Sequence, residues 1–243
     1  MRHYDFIIIT NEHVLAKVED QKWQVFEYRD YYPDKMTRDF IDVFDEPEVF
    51  LYAIKSIMKL TGRSLWRRIV AKNHLVLFAI DEQNSELRKR LFEDVFYKAN
   101  YNPILHIEIE PVAGMVEDKN GCNTPVVVVS VIGNIAQLSF CFEGVIITKQ
   151  VIKESLRTKF DDFIKTCKNL QDKDLSECID TTEINRIDYE KIRCVWEEKR
   201  NIKIIVASSN DSFDYWVDRE IKYDYKVNFT QITDLLKDVL RRS

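Results

Sequence analysis

The sequence has 243 residues, enough for one large domain or two lobes, and 45% of them are hydrophobic against 32% charged, a composition able to bury a sizeable core. Lysine and arginine number 36 and aspartate and glutamate 41, so the net charge of −5 argues against a nucleic-acid groove, whose electrostatic footprint is basic. Glycine is scarce: 5 residues, where average usage of about 7% would supply about 17.

Phosphate-cradling loops need closely spaced glycines to bring backbone N–H groups to the ligand, so most nucleotide-binding motifs are disfavoured from the start. The N-terminus leads into only four apolar residues, Phe6 to Ile9, shorter than a secretory apolar segment. The longest nearly apolar run, Val126 to Ile132, is far short of the ~20 residues that span a bilayer. The cysteines (Cys122, Cys141, Cys167, Cys178 and Cys194) are odd in number and show no zinc spacing. Reduced thiols in a cytoplasmic or nuclear protein are expected, with no membrane, metal or cofactor.

The first predicted elements form a three-stranded meander: Phe6–Thr10, Val14–Val18 and Trp23–Tyr28. A polar, aromatic-rich loop follows. Asp45-Glu46-Pro47 then reads as a helix start, with Phe50, Ile54, Ile57 and Met58 at helical spacing and Gly62 at the end. Leu75–Ile80 reads as a buried strand, Ser85–Lys98 as an amphipathic helix and Ile104–Ile109 as another strand. Asp118-Lys119-Asn120-Gly121 is the strongest loop signal, and it sets the expected lobes at 1–117 and 118–243.

After that loop the pattern restarts. Val126–Ile132, Ala136–Phe142 and Val145–Ile152 form a second meander, followed by helices at Leu156–Leu170 and Tyr189–Arg200. Ile202–Ala207 and Asp214–Tyr225 read as a hairpin, and Ile232–Arg242 as a closing helix. Two successive β-β-β-α units point to a structural duplication with no residue-level repeat.

That unit resembles the superfamily of actin, sugar kinases, bacterial MreB and DnaK-type heat-shock chaperones. Ile109-Glu110-Pro111-Val112-Ala113-Gly114-Met115 resembles the family's N-E-P-x-A-A-A helix start. The apolar strand ending in Ser130-Val131-Ile132-Gly133 sits where the family has its second phosphate loop, D-x-G-G-G-T. Lys159-Phe160-Asp161-Asp162-Phe163 and Ile192–Arg200 look more like the chaperone branch than actin. The resemblance implies an α/β, two-lobe actin-like (ribonuclease-H-like) fold. It also implies an incomplete second lobe, because the chain ends before the family's final strands and adenosine-binding turn.

The departures from the family are chemical. Near Ile8-Ile9-Thr10-Asn11-Glu12 the first phosphate loop lacks its Asp and Gly. Ser130 stands where the second loop has its Asp, and Gly133 is the one glycine kept there. In the family those carboxylates hold a hydrated Mg²⁺ at the phosphates, the main electrostatic aid to phosphoryl transfer. Without them no hydrolysis is expected. If a nucleotide does bind, Glu110, Ser130 and Gly133 are the candidate contacts.

Each candidate also has a plainer reading. Glu110 can serve as a helix-start carboxylate facing backbone N–H groups, and Ser130 as a buried serine bonded to backbone. Asp81 suits an N-cap, and His106, on a strand face with Glu108 and Glu110, suits a polar surface better than a general-base pair. The basic run Arg63 to Arg68 reads as solvated surface.

Aromatic residues gather in the loop after the first meander and in the late hairpin. Tyr31, Tyr32, Phe40, Tyr215, Trp216, Tyr223 and Tyr225 are candidates for an interface or for lobe core, because Tyr and Trp bury large area at low entropy cost. The expected function is that of a non-catalytic interaction or scaffold protein, with a protein partner or self-association covering the incomplete lobe. The alternatives are a nucleotide-binding switch and an actin-like filament-forming protein.

Overall fold

In a computed structural model the structure describes residues 3–9, 13–18, 23–31, 47–60, 73–79, 94, 97, 104–106, 108–117, 124–132, 135–152, 156–180, 186–198, 201–208 and 221–242. They fall into two units, Met1–Glu108 with Val239–Ser243, and Ile109–Asp238.

The first unit carries β1 (His3–Ile9), β2 (His13–Val18), β3 (Gln24–Glu27), a 3-10 turn at Tyr28–Tyr31, α1 (Pro47–Leu60), β4 (Asn73–Ala79) and β5 (Ile104–His106). Its sheet runs β3-β2-β1-β4-β5, antiparallel through the meander and parallel from β1 to β5. β1 sits between β2 and β4, and Phe6, Ile7 and Ile8 are all fully buried. An unbroken apolar run is what a strand covered on both faces requires. In α1, Ile54 and Ile57 are buried while Tyr52, Lys55 and Lys59 are exposed, the one-sided pattern of a helix on a sheet.

The second unit opens with α2 (Ile109–Glu117), followed by β6 (Val126–Ile132), β7 (Ile135–Phe142), β8 (Val145–Ile152) and α3 (Leu156–Gln171). A 3-10 turn at Leu175–Glu177, α4 (Arg186–Glu197), β9 (Lys203–Ser208), β10 (Tyr225–Asn228) and α5 (Phe229–Arg242), whose residues from Val239 on are grouped with the first unit, complete it. Its sheet order, β10-β9-β6-β7-β8, repeats the first with the same pairing senses. The expected duplication is present.

Period-2 alternation divides the second sheet into two faces. Val127, Val129, Val131, Leu138, Phe140 and Phe142 join a buried cluster with Phe160, Phe163 and Cys167 of α3 and Trp196 of α4. Trp196 lies against Phe140 and Phe142, with ring centroids 6.1 and 5.1 Å away, and its Nε1 donates to the Lys173 carbonyl at 3.0 Å. The alternate residues, among them Val126, Ser130, Gln137, Ser139 and Cys141, occupy the opposite face. Gly114 of α2 packs so close to that face that a Cβ there would lie 3.3 Å from a Val126 methyl.

Three expectations change, and a fourth is left outside the described residues: β10 pairs in parallel with β9, Tyr225 opposite Ile205, while residues 214–220, most of the second strand of the expected hairpin, lie outside them. β5 ends at His106 and Ile109 already begins α2, with Pro111 in its first turn, where a missing N–H costs nothing. α2 groups with the second unit, ahead of the boundary expected at the Asp118–Gly121 loop. Finally, the second sheet has the same five strands as the first, so the expected truncation does not extend to the sheet.

Candidate functional site

Glu110 stands in the first turn of α2 with 2% of its surface exposed. Ser130 of β6 is fully buried, and Gln137 of β7 lies directly opposite it in the ladder. The Ser130 hydroxyl donates to Glu110 Oε1 at 3.0 Å, and Gln137 Nε2 donates to the same oxygen at 2.6 Å. Gln137 Nε2 also lies 3.4 Å from Ser139 Oγ, and its own Oε1 is buried without a hydrogen-bond partner. Reversing the amide would set its carbonyl against the carboxylate, so the donating orientation is the one the cluster allows.

The sequence candidates Glu110 and Ser130 therefore meet, but through each other. Glu110 does stand at a helix start, and two of the hydrogen bonds it accepts come from side chains. Ser130 bonds a side chain, where a backbone partner was the plain expectation. Gln137 was not foreseen, and its signal was a lone amide in an apolar strand, opposite the one polar residue of the neighbouring strand. Chemically the cluster sets two neutral donors, Ser130 and Gln137, on one oxygen of the Glu110 carboxyl group.

Of the aromatic candidates, Tyr31 is half-buried and meets Phe26 edge-on at 5.9 Å. Tyr223 packs against the buried cluster of the second unit. Tyr225 is 38% exposed, with the Lys203 ammonium 5.6 Å from its ring centroid. Tyr32, Phe40, Tyr215, Trp216, Gly133, Asp81 and the Arg63–Arg68 run lie outside the described residues, as does the His106 side chain.

Other titrating groups serve structure. Burial pushes the Cys167 thiol up to about 12 and raises Cys178 as well. Hydrogen bonds from the Ser176 hydroxyl and backbone N–H hold the Asp174 carboxyl below its ordinary value, at the cap of the second 3-10 turn. Among the described residues no group of three or more His, Cys, Asp or Glu could hold a metal ion. Nor, among them, is any helix long and apolar enough to cross a membrane.

No protein-family model matches the sequence, and no curated relative does. Solved structures do match. MreB5 of Spiroplasma citri bound to ADP superposes with a TM-score of 0.56 at 12% identity, over 100% of this chain and 98% of that one. The fold is actin-like.

MreB5 of the same organism bound to AMPPNP gives a TM-score of 0.54 at 11% identity with the same coverage. The AlfA filament bound to AMPPNP gives 0.47 at 14% identity, over 94% of this chain and 89% of that one. Identity this low speaks of the actin-like fold alone. Spanning nearly the whole MreB5 chain agrees with the five strands found in the second sheet.

Proposed function

We propose that this chain is a non-catalytic actin-fold protein that acts through contacts with other proteins. The observation carrying the reading is the closed state of Glu110: its Oε1 takes two donors in a site 2% exposed. A hydrated Mg²⁺ needs several oxygen ligands and neighbouring carboxylates to orient its waters. Two neutral donors on one Glu110 oxygen, one of them a serine where the resemblance expects an aspartate, do not fit that task. The apolar stretch near Ile9 and the scarcity of glycine in the sequence point the same way.

A second reading, a nucleotide-binding switch, draws on the MreB5 structures, which share the fold and hold ADP and AMPPNP. A thermal-unfolding titration with Mg-ATP and Mg-ADP, run beside a phosphate-release assay, separates the two. A ligand at 100 times its Kd stabilises a fold by ~2.7 kcal/mol, a rise of roughly 5–10 °C for a chain of this size. The non-catalytic reading expects a flat melting temperature and no phosphate release. A rise without release favours the switch, and release would defeat both.

A further inference from the structure

One depression of the second unit is lined by Tyr225, 38% exposed, and by Gly144, beside which lies the exposed side chain of Met115. Its floor is Val126, Cys141, Phe142 and Ile205. α2 runs antiparallel to β6, with Glu110 against Ser130 and Gly114 against Val126, the first residue of the strand. The Met115 methyl lies over the β7–β8 turn, 3.5 Å from where a Cβ on Gly144 would stand.

The depression has a charge as well as a shape. Lys203 lines it, half-buried, with its ammonium over Tyr225. Among the described residues Lys203 has no carboxylate partner. Glu143, on the rim beside Gly144, already holds an interaction of its own. Aromatic and methionine side chains around an apolar floor are the composition of an interface core, and the free charge in it is positive. We propose that this groove docks an acidic–apolar peptide segment of a partner protein, with a bulky apolar side chain on the floor and a carboxylate on Lys203. The proposal rests on the protein-contact reading above and names where that contact is made.

The test is a random-peptide display selection on the full chain. The selected peptide is then labelled with fluorescein and its anisotropy followed with wild type, Lys203→Glu and Met115→Ser. Both substitutions sit on exposed or half-exposed side chains, and circular dichroism checks that each variant folds. Selected peptides should pair Asp or Glu with Leu, Ile or Phe. Binding should fall about tenfold or more with Lys203→Glu and measurably with Met115→Ser.

Failure to select any peptide, peptides without acidic residues, or equal binding to Lys203→Glu would each overturn the proposal. So would concentration-dependent self-association that Lys203→Glu abolishes, which makes a second copy the occupant. ATP hydrolysis in the same samples would sink the non-catalytic reading while leaving the peptide result to stand or fall alone.

Discussion

Ser130 donates its hydroxyl proton to Glu110 across 3.0 Å, tying the central strand of the second sheet to the first turn of α2. Both residues are buried, so neither can turn to water if the bond is lost. Ser130→Ala should cost about 1.5–3 kcal/mol in urea unfolding, the range for a hydrogen bond to a charged group. Ser130→Asp should cost more, because two carboxylates would then share one buried site. Equal or greater stability for the aspartate variant would mean that the pocket admits a cation or water to part them.

How much of this was legible beforehand differs by element. The strands β6, β7 and β8 follow directly from apolar runs punctuated by Gly133-Asn134 and Glu143-Gly144, because local turn chemistry sets an antiparallel meander. The parallel pairing of β9 with β10 is not local. Alternation along Lys203–Ser208 and Tyr225–Asn228 is the same for either sense, and nothing in a four-residue strand announces its neighbour's direction. Glu110 and Ser130 were legible as a pair of positions, but their bond was not, because its third member is Gln137. That residue enters by ladder register and belongs to no motif.

Trp196 fastens α4 to the sheet. It is 2% exposed, packs on Phe140 and Phe142, and donates its indole N–H to Lys173. Trp196→Ala should destabilise by about 3–5 kcal/mol, the usual cost of emptying a large aromatic site. Trp196→Phe keeps most of the packing and drops the donor, leaving the Lys173 carbonyl unpaired at about 1–3 kcal/mol. Chemical unfolding of both variants checks the order. A phenylalanine variant as unstable as the alanine one would assign the role to the hydrogen bond.

The thiols should react in order of exposure. Cys194 is exposed, whereas Cys141 and Cys167 are buried and Cys167 is held neutral up to about 12. Iodoacetamide followed by peptide mass mapping should label Cys194 early and Cys167 only on unfolding. The raised value also carries a sign for stability. Below the ordinary thiol value of 9.0 the native and unfolded chains both keep the proton, so the benefit of the buried neutral thiol is fully present. As pH climbs from there toward 12 the unfolded chain loses its proton first, and stability falls. The stability gap between wild type and Cys167→Ala should narrow across that window, and a constant gap would place the thiol in contact with water.

The β7–β8 turn carries the one strained backbone position among the described residues. Glu143 has φ of 50° and Gly144 φ of 78°, so both central residues of this two-residue connection are left-handed. That geometry matches the right-handed twist of the flanking strands and suits Asn-Gly better than Glu-Gly, because asparagine tolerates the left-handed region. A glutamate there costs about 1–2 kcal/mol relative to ordinary backbone. Glu143→Asn should therefore stabilise by about 0.5–1 kcal/mol, a rise of roughly 1–4 °C in melting temperature. Gly144→Ala should act in the opposite direction by about 1 kcal/mol, because its Cβ would stand in the same left-handed region. A fall in stability for Glu143→Asn would show that the interaction this carboxylate makes at the groove rim outweighs the strain of holding it there.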